Sequence, residues 1–341
     1  QGEFEAVKLI AAEGLDAEIC SAARGVKGDI DAAIDAGVDS VNIIIPTSDL
    51  HIETKLGKTK EQILDMTGDA VAYAKDHGLL AEISTEDGSR SDMVYLKRVV
   101  RDALDAGLDR VTFCDTVGTL TPGGTYEVFS SMRGEFPDVV MGVHCHDDFG
   151  LGVANSLTAL GAGADLVHAT VNGLGERAGN ASLEEIAVAL KLLYNVETSI
   201  RTEKIYDVSR VVSRLTGMQV QPNKAIVGSN AFAHESGIHT HAISKDPLTY
   251  EAIKPEMVGA ARRLVSGKHA GSTGIRQSLT EMGLRPSEEE FEEILGSVKV
   301  FGDNGRRTSD ADLLAIAEEA MGERRETRIV LEEFIVTTGN R

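Results

Sequence analysis

The chain has no tryptophan, and tyrosine and phenylalanine together bring its aromatic content to only 4% of 341 residues. A surface for stacking single-stranded bases needs aromatic faces, and little is available here. Cationic residues are also in short supply. Lys and Arg number 34 against 54 Asp and Glu, giving a net charge of −20. Such a surface repels phosphate backbones, which argues against nucleic acid as a partner. Cysteine occurs three times, at Cys20, Cys114 and Cys145. Three scattered thiols cannot form a disulfide framework and suit a reducing cytoplasm. Long apolar runs are absent: the densest, Val41 to Ile45, is far too short to cross a bilayer. The first residues carry no basic segment leading into an apolar core, so no secretory signal is read there.

Against these absences stands a repeated pattern. Short β-branched runs end in small or polar residues, and Ala-rich amphipathic stretches follow. Strands are predicted at Ala17–Cys20, Val41–Ile45, Ala81–Thr85, Val111–Asp115, Val139–His146 and Leu166–Asn172. Spaced apolar positions predict helices between them, as in Ile30–Ala36, Ile63–Ala74 and Val94–Ala106. Strand–helix alternation at near-regular spacing implies an α/β fold, a TIM (β/α)8 barrel rather than an open sheet. Only six strands are found, and the chain opens on helix-like sequence, so the first strands are expected to be missing. Thr59 with Gln62, and Ser182 with Glu185, predict capping boxes, and Thr121-Pro122 predicts another helix start. After about Asn195 helical periodicity dominates. The domains are therefore read as an incomplete barrel at 1–195, a helical subdomain at 196–323, and at 324–341 the start of a truncated further domain.

The strongest local motif is VHCHDDFG. His144 and His146 lie two apart on a predicted strand, so both imidazoles share one face near its C-terminal end. Two neutral imidazoles so placed can hold one divalent cation, or can be satisfied by nearby carboxylates. NGLGERAGNASLEE follows the next strand. Gly173, Gly175 and Ala178 imitate a dinucleotide fingerprint, but no second strand with an acidic ribose partner follows. The glycines instead suit a tight loop passing close to a site, and Asn180 could offer a carbonyl oxygen there. Other strand ends carry polar groups: Ser84 and Glu86 on one face, Asp115 with Thr116, and Thr47, Ser48 and His51. His234, His239 and His241 crowd one segment of the helical region, where structural or solvated histidines are the default reading.

HCHDDFGLGVANS, TVNGLGERAGNASLEE, PNKAIVGSNAFAHESGIH and GKHAG, in this order, resemble the α-isopropylmalate, citramalate and homocitrate synthase family, and most nearly its archaeal-type α-isopropylmalate synthases. The resemblance spans nearly the whole chain. It implies a barrel followed by a helical subdomain in a homodimer, and condensation of acetyl-CoA with a 2-keto acid. It also implies a divalent metal (Zn, Mn, Co or Mg) on His144, His146 and Asn180, completed by an Asp from an N-terminal arginine–aspartate motif. No such motif occurs in this chain, and a protein truly lacking it is expected to bind metal poorly. By the same resemblance Asn42, Ser84 and Thr116 line the keto-acid pocket, and Glu86, His239 and Tyr250 serve as catalytic residues. Two departures stand out: Asn42 replaces a His found in many relatives, and His241 replaces an Asp. The substrate order implied is 2-ketoisovalerate, then pyruvate. Homocitrate synthesis ranks third, because no basic residue is evident for a second carboxylate. Related two-histidine barrels cleave acyl-CoA substrates by aldol chemistry, and AHESGIH and GKHAG argue against that class. A non-catalytic remnant is a further alternative. The closing strand-like stretch resembles the entrance to a regulatory domain, so a chain ending there is expected to escape inhibition by leucine.

Overall fold

Six short runs, most of them rich in β-branched or small residues, pair side by side in chain order. They are β1 (Cys20–Arg24), β2 (Ser40–Pro46), β3 (Leu80–Glu86), β4 (Arg110–Asp115), β5 (Val140–Cys145) and β6 (Leu166–His168). The sheet order is β1-β2-β3-β4-β5-β6, and every neighbouring pair is parallel. The molecule is a computed structural model that describes residues 2–234, 246, 249–264, 272–303 and 308–322.

The side chains of β2 show why the sheet forms. Val41, Ile43 and Ile45 are fully buried and join the apolar core that the helices cover. Each such side chain contributes roughly 2 kcal/mol of burial. Asn42, between them, points the other way and bonds Glu82 of β3. This inner face is packed as well: a Cβ on Gly142 would sit 2.1 Å from the Thr112 hydroxyl oxygen.

Helices follow the strands as α2 (Lys27–Ala36), α3 (Lys60–Asp76), α4 (Met93–Asp105), α5 (Pro122–Glu135), α6 (Gly152–Gly161) and α7 (Leu183–Leu193), with α1 (Gly2–Ala12) before β1. In α4 the buried set Tyr95, Leu96, Val99, Val100 and Ala103 repeats at helical spacing. Its start is fixed by Asp92, whose carboxylate accepts from the Tyr95 N–H at 2.9 Å. Losing that cap would cost about 1 kcal/mol.

The predicted capping box at Thr59 is present in both halves, and Thr121 caps α5 with Pro122 behind it. At Ser182 the N-cap position is taken without a side-chain cap bond, which corrects the second predicted box. There, Thr170 pairs with Ser182 in an isolated parallel bridge, so backbone pairing sets the helix entry. All six strand boundaries move: β2 and β3 gain a residue at each end, β4 gains one at its start, β5 loses one at each end and stops before His146, and two shifts are larger. β1 starts at Cys20, where Ala17–Cys20 was expected. β6 stops at His168, and a 3-10 turn at Val171–Gly173 replaces the end of the expected strand. Asn172 lies inside that turn at φ 63°, a left-handed conformation that no strand accommodates.

The chain divides into two units. One is Gln1–Thr202 with Val208–Met218, and the other is Glu203–Asp207 with Gln219–Arg341. The second holds the two-residue parallel pair β7 (Ala233–His234) and β8 (Arg263–Leu264). It also holds helices Ser272–Glu281, Glu288–Asp303 and Asp310–Ala320 around a small core centred on Phe291. The stretch 324–341 lies outside the described residues. Among those described, no helix is long and apolar enough to cross a membrane.

Candidate active site at the strand ends

In a parallel βα sheet the loops after the strands' C-terminal ends gather on one side, where barrel enzymes build their sites. Here those ends carry most of the side chains singled out from sequence. His144 projects from β5 and His146 lies just beyond its end, with ring centroids 5.2 Å apart. Asn180 reaches them from the glycine-rich loop. Its Nδ2 lies 3.0 Å from His144 Nε2, and its backbone bridges His146. The glycines are dictated by space. A Cβ on Gly175 would fall 1.9 Å from Asn180 Oδ1, and one on Gly179, at φ 97°, would fall 2.0 Å from the Gly173 carbonyl oxygen.

The donor set suits a cation. Burial pushes His144 down to about 4, with His168 and His146 adding to the shift, so its ring is neutral at ordinary pH. Burial, then the Arg177 charge, lowers His146 as well. His146 Nδ1 is buried without a hydrogen-bond partner, and Asn180 is only 6% exposed. Turning the Asn180 amide would present its carbonyl oxygen. Among the described residues no group of three or more His, Cys, Asp or Glu is arranged to hold a metal. Two imidazoles and one amide are a partial set. Cys114 and Cys145, both pushed up to about 12 by burial, stay protonated and offer no thiolate.

Glu86 closes β3 and meets Lys55 and His51 from the loop after β2. That loop contains a π-helical turn, His51–Lys55. Lys55 Nζ lies 2.7 and 2.8 Å from the two Glu86 oxygens, and His51 Nδ1 lies 3.6 Å from one of them. Next to Glu86, the fully buried Asp87 sits at φ 61° and accepts from Ser48 Oγ at 2.5 Å and Arg90 Nε at 2.8 Å. The Asp87 N–H donates to Thr116 Oγ1 at 2.8 Å, tying β3's loop to β4's. Ser84 is buried one pleat below Glu86.

Glu82 is the residue that sequence reasoning missed. It is 2% exposed on the inner face, one pleat below Ser84. It accepts from Asn42 Nδ2 (3.0 Å), Thr112 Oγ1 (2.7 Å) and Arg110 Nε (2.6 Å), and pairs with His168 Nε2 (3.1 Å). Burial opposes its charge, but His168, Thr112 and Arg110 outweigh it and hold the carboxyl below its usual range. Asn42 thus gives its amide donor to Glu82, while its Oδ1 is buried and unpartnered. The signal was an acid in phase with Ser84 and Glu86 on a strand flanked by apolar residues.

Tyr250 belongs to the second unit, where it is 47% exposed. Its neighbour Glu251 is gripped by Arg262, Nε and Nη2 both at 2.6 Å, and by His234 Nε2 at 3.2 Å. His239 and His241 lie outside the described residues.

A parallel βα sheet with convergent polar side chains at its strand ends defines a barrel enzyme. The HMGL-like family profile matches residues 1–212, and the homocitrate synthase post-HMGL domain-like profile matches 226–306. A putative (R)-citramalate synthase of Methanothermobacter thermautotrophicus is 52% identical over all of this chain and 68% of its own length. A probable 2-isopropylmalate synthase of Methanopyrus kandleri is 53% identical over all of this chain and 68% of its own. Among solved structures, hydroxymethylglutaryl-CoA lyase from Pseudomonas aeruginosa matches with TM-score 0.56 at 20% identity, covering 62% of this chain and 75% of that one. The chain belongs to the HMGL-like family and, within it, to the group of citramalate and 2-isopropylmalate synthases. It is an enzyme of this acyl-condensing type, as the sequence motifs implied.

Proposed function

We propose that the protein condenses acetyl-CoA with a short 2-keto acid in a reaction dependent on a divalent metal. The observation that carries this reading is the neutral, buried His144 in contact with Asn180 beside the unpartnered His146 Nδ1. Those three residues would hold the cation, as Zn, Mn, Co or Mg, which imidazole and oxygen donors without thiolate allow. A cation bound there would act as a Lewis acid on the keto group. Ser84 and Thr116 line the keto-acid pocket, and Asn42 lies at its floor. Glu86 positions substrate or moves a proton, with Lys55 holding its two oxygens. His239 and Tyr250 take the acid–base roles that the family resemblance assigns. One base takes a proton from the acetyl methyl carbon, that carbon bonds to the keto carbon as its C=O π bond opens, and the resulting alkoxide oxygen takes up a proton from the acid. Water then hydrolyses the thioester and releases CoA.

The first substrate reading is 2-ketoisovalerate, giving 2-isopropylmalate for leucine synthesis. The second is pyruvate, giving citramalate, which the name of the 52%-identical relative supports equally. The two differ by small apolar groups, worth a few kcal/mol of discrimination. A homodimer in a reducing cytoplasm completes the proposal, consistent with three free cysteines. A CoA-release assay on the full-length protein, with metal and a panel of 2-keto acids, tests it. Preference for 2-ketoisovalerate or for pyruvate selects between the readings, and no release with any keto acid sinks both.

A further inference from the structure

Arg177 lies in the left-handed region at φ 55°, between Gly175 and Gly179. Glycine would adopt that conformation without strain, whereas a side chain there is costly. A non-glycine residue kept at such a position indicates that its side chain is used. The Arg177 guanidinium makes three contacts across two neighbouring loops. Nε and Nη2 donate to Asp148 Oδ1 and Oδ2 at 2.7 and 2.8 Å, and Nη2 donates to the Thr116 carbonyl at 2.7 Å.

We propose that Arg177 is a positioning residue that clamps the loops after β4, β5 and β6 and so fixes His146 and Asn180 for the cation. The inference rests on the reading of those residues as metal ligands. Each loop is tied to a ligand by backbone as well. Asp148 stands two residues beyond His146. Thr116 follows Asp115, whose carbonyl accepts the His146 N–H at 3.2 Å. The Asp147 N–H donates to the Gly179 carbonyl at 2.9 Å, next to Asn180. The loops touch closely: a Cβ on Gly118 would come within 3.0 Å of the Asp148 nitrogen, Asp148 Oδ2 and the His146 carbonyl oxygen. Arg177 is the side-chain link between all three. Its planar fork suits the task, because it can grip both carboxylate oxygens while a second face of the same nitrogen reaches the carbonyl. A lysine ammonium in its place would serve one partner at a time.

The test is Zn2+ affinity of the full-length protein, by competition with a chromophoric chelator, alongside amide hydrogen exchange of the metal-free protein. Residues that orient metal ligands typically carry ten- to a hundredfold in affinity. R177M is expected to weaken Zn2+ binding about tenfold, and R177K to recover part of it. The double variant R177M/D148N should bind no more weakly than R177M alone, since both break one clamp. Exchange should quicken at 116–120, 146–152 and 173–181 in R177M, with the thermal midpoint of the metal-free protein unmoved. Wild-type Zn2+ affinity in R177M would overturn the proposal. A wild-type protein that takes up no Zn2+ would instead refute the metal reading, and the exchange data would still decide on the clamp: unchanged exchange in R177M overturns it.

Discussion

Lys55 Nζ holds both oxygens of Glu86, at 2.7 and 2.8 Å, from the end of a π-helical turn. π-turns are rare and recur at functional sites, where the extra residue re-aims a side chain. Here the turn points the His51 ring and the Lys55 ammonium at one carboxylate that is 18% exposed. If Glu86 must be held in place during catalysis, K55M should lower kcat by about tenfold with little change in the keto-acid KM, because small misplacements of reacting groups are expensive. K55R should recover part of the loss. Steady-state CoA release checks this, and an unchanged kcat in K55M would remove Lys55 from the role.

A second expectation concerns Gly175. Since a Cβ there would stand 1.9 Å from Asn180 Oδ1, G175A must push the amide away from His144. Turnover should fall by about a hundredfold, and bound metal should fall with it. Metal content by elemental analysis and kcat from the same preparation measure both. A fully active G175A protein would show that the position of Asn180 does not matter.

The buried imidazole of His144 sets an acid limit. Its folded-state value of about 4 lies below the 6.5 of an exposed histidine. Between those two pH values the unfolded chain takes up a proton that the folded protein refuses. Stability should therefore decline as the pH falls from 6.5 towards 4 and level off for this group below 4. Urea titrations of metal-free H144N across that window should show a shallower decline than wild type. Parallel curves would mean that His144 does not contribute to the slope.

Glu82 makes the opposite kind of contribution. Its carboxyl is held below the usual range by His168, Thr112 and Arg110 against the cost of burial. The stabilisation it provides is complete above its ordinary value of 4.5 and is lost as the pH falls through the lowered folded value. E82Q, which removes the carboxylate partner of His168 and one of the two of Arg110, the other being Glu18, should cost about 3 kcal/mol near neutrality. The gap between variant and wild type should narrow in strong acid. A denaturant midpoint for E82Q equal to that of wild type at pH 7 would contradict this.

Some of this architecture was readable from residue order alone. Period-two spacing of His144 and His146 predicted both rings on one face of a strand; β5 carries His144 and ends at Cys145, and His146 follows in an isolated bridge with Asn180, its ring centroid 5.2 Å from that of His144. Strand–helix alternation implied a parallel sheet, and all five neighbouring pairs from β1 to β6 are parallel. Asn180 stood out as a possible carbonyl donor in its glycine-rich loop, but its pairing with the two histidines came through family resemblance, since no local pattern joins residues 36 apart. The Lys55–Glu86 contact was invisible because hydrophobic periodicity does not encode a π-turn. Glu82 escaped notice because an acid on a strand ordinarily signals a face turned to water. Inside a barrel wall that face is lined by other strands, and the acid gathers four polar neighbours. The start of β1 was misjudged because Cys-Ser-Ala-Ala-Arg has no β-branched residue to mark it.

The order of the sheet repeats the order of the chain from β1 to β6. Each described strand from β2 to β6 therefore finds its neighbour already made when synthesis delivers it. The wall can be laid down vectorially as the polypeptide emerges from the ribosome, one strand–helix unit on the last. The glycine-rich loop with Asn180 follows the last of these strands, so the imidazoles of β5 are in place before the amide that meets them.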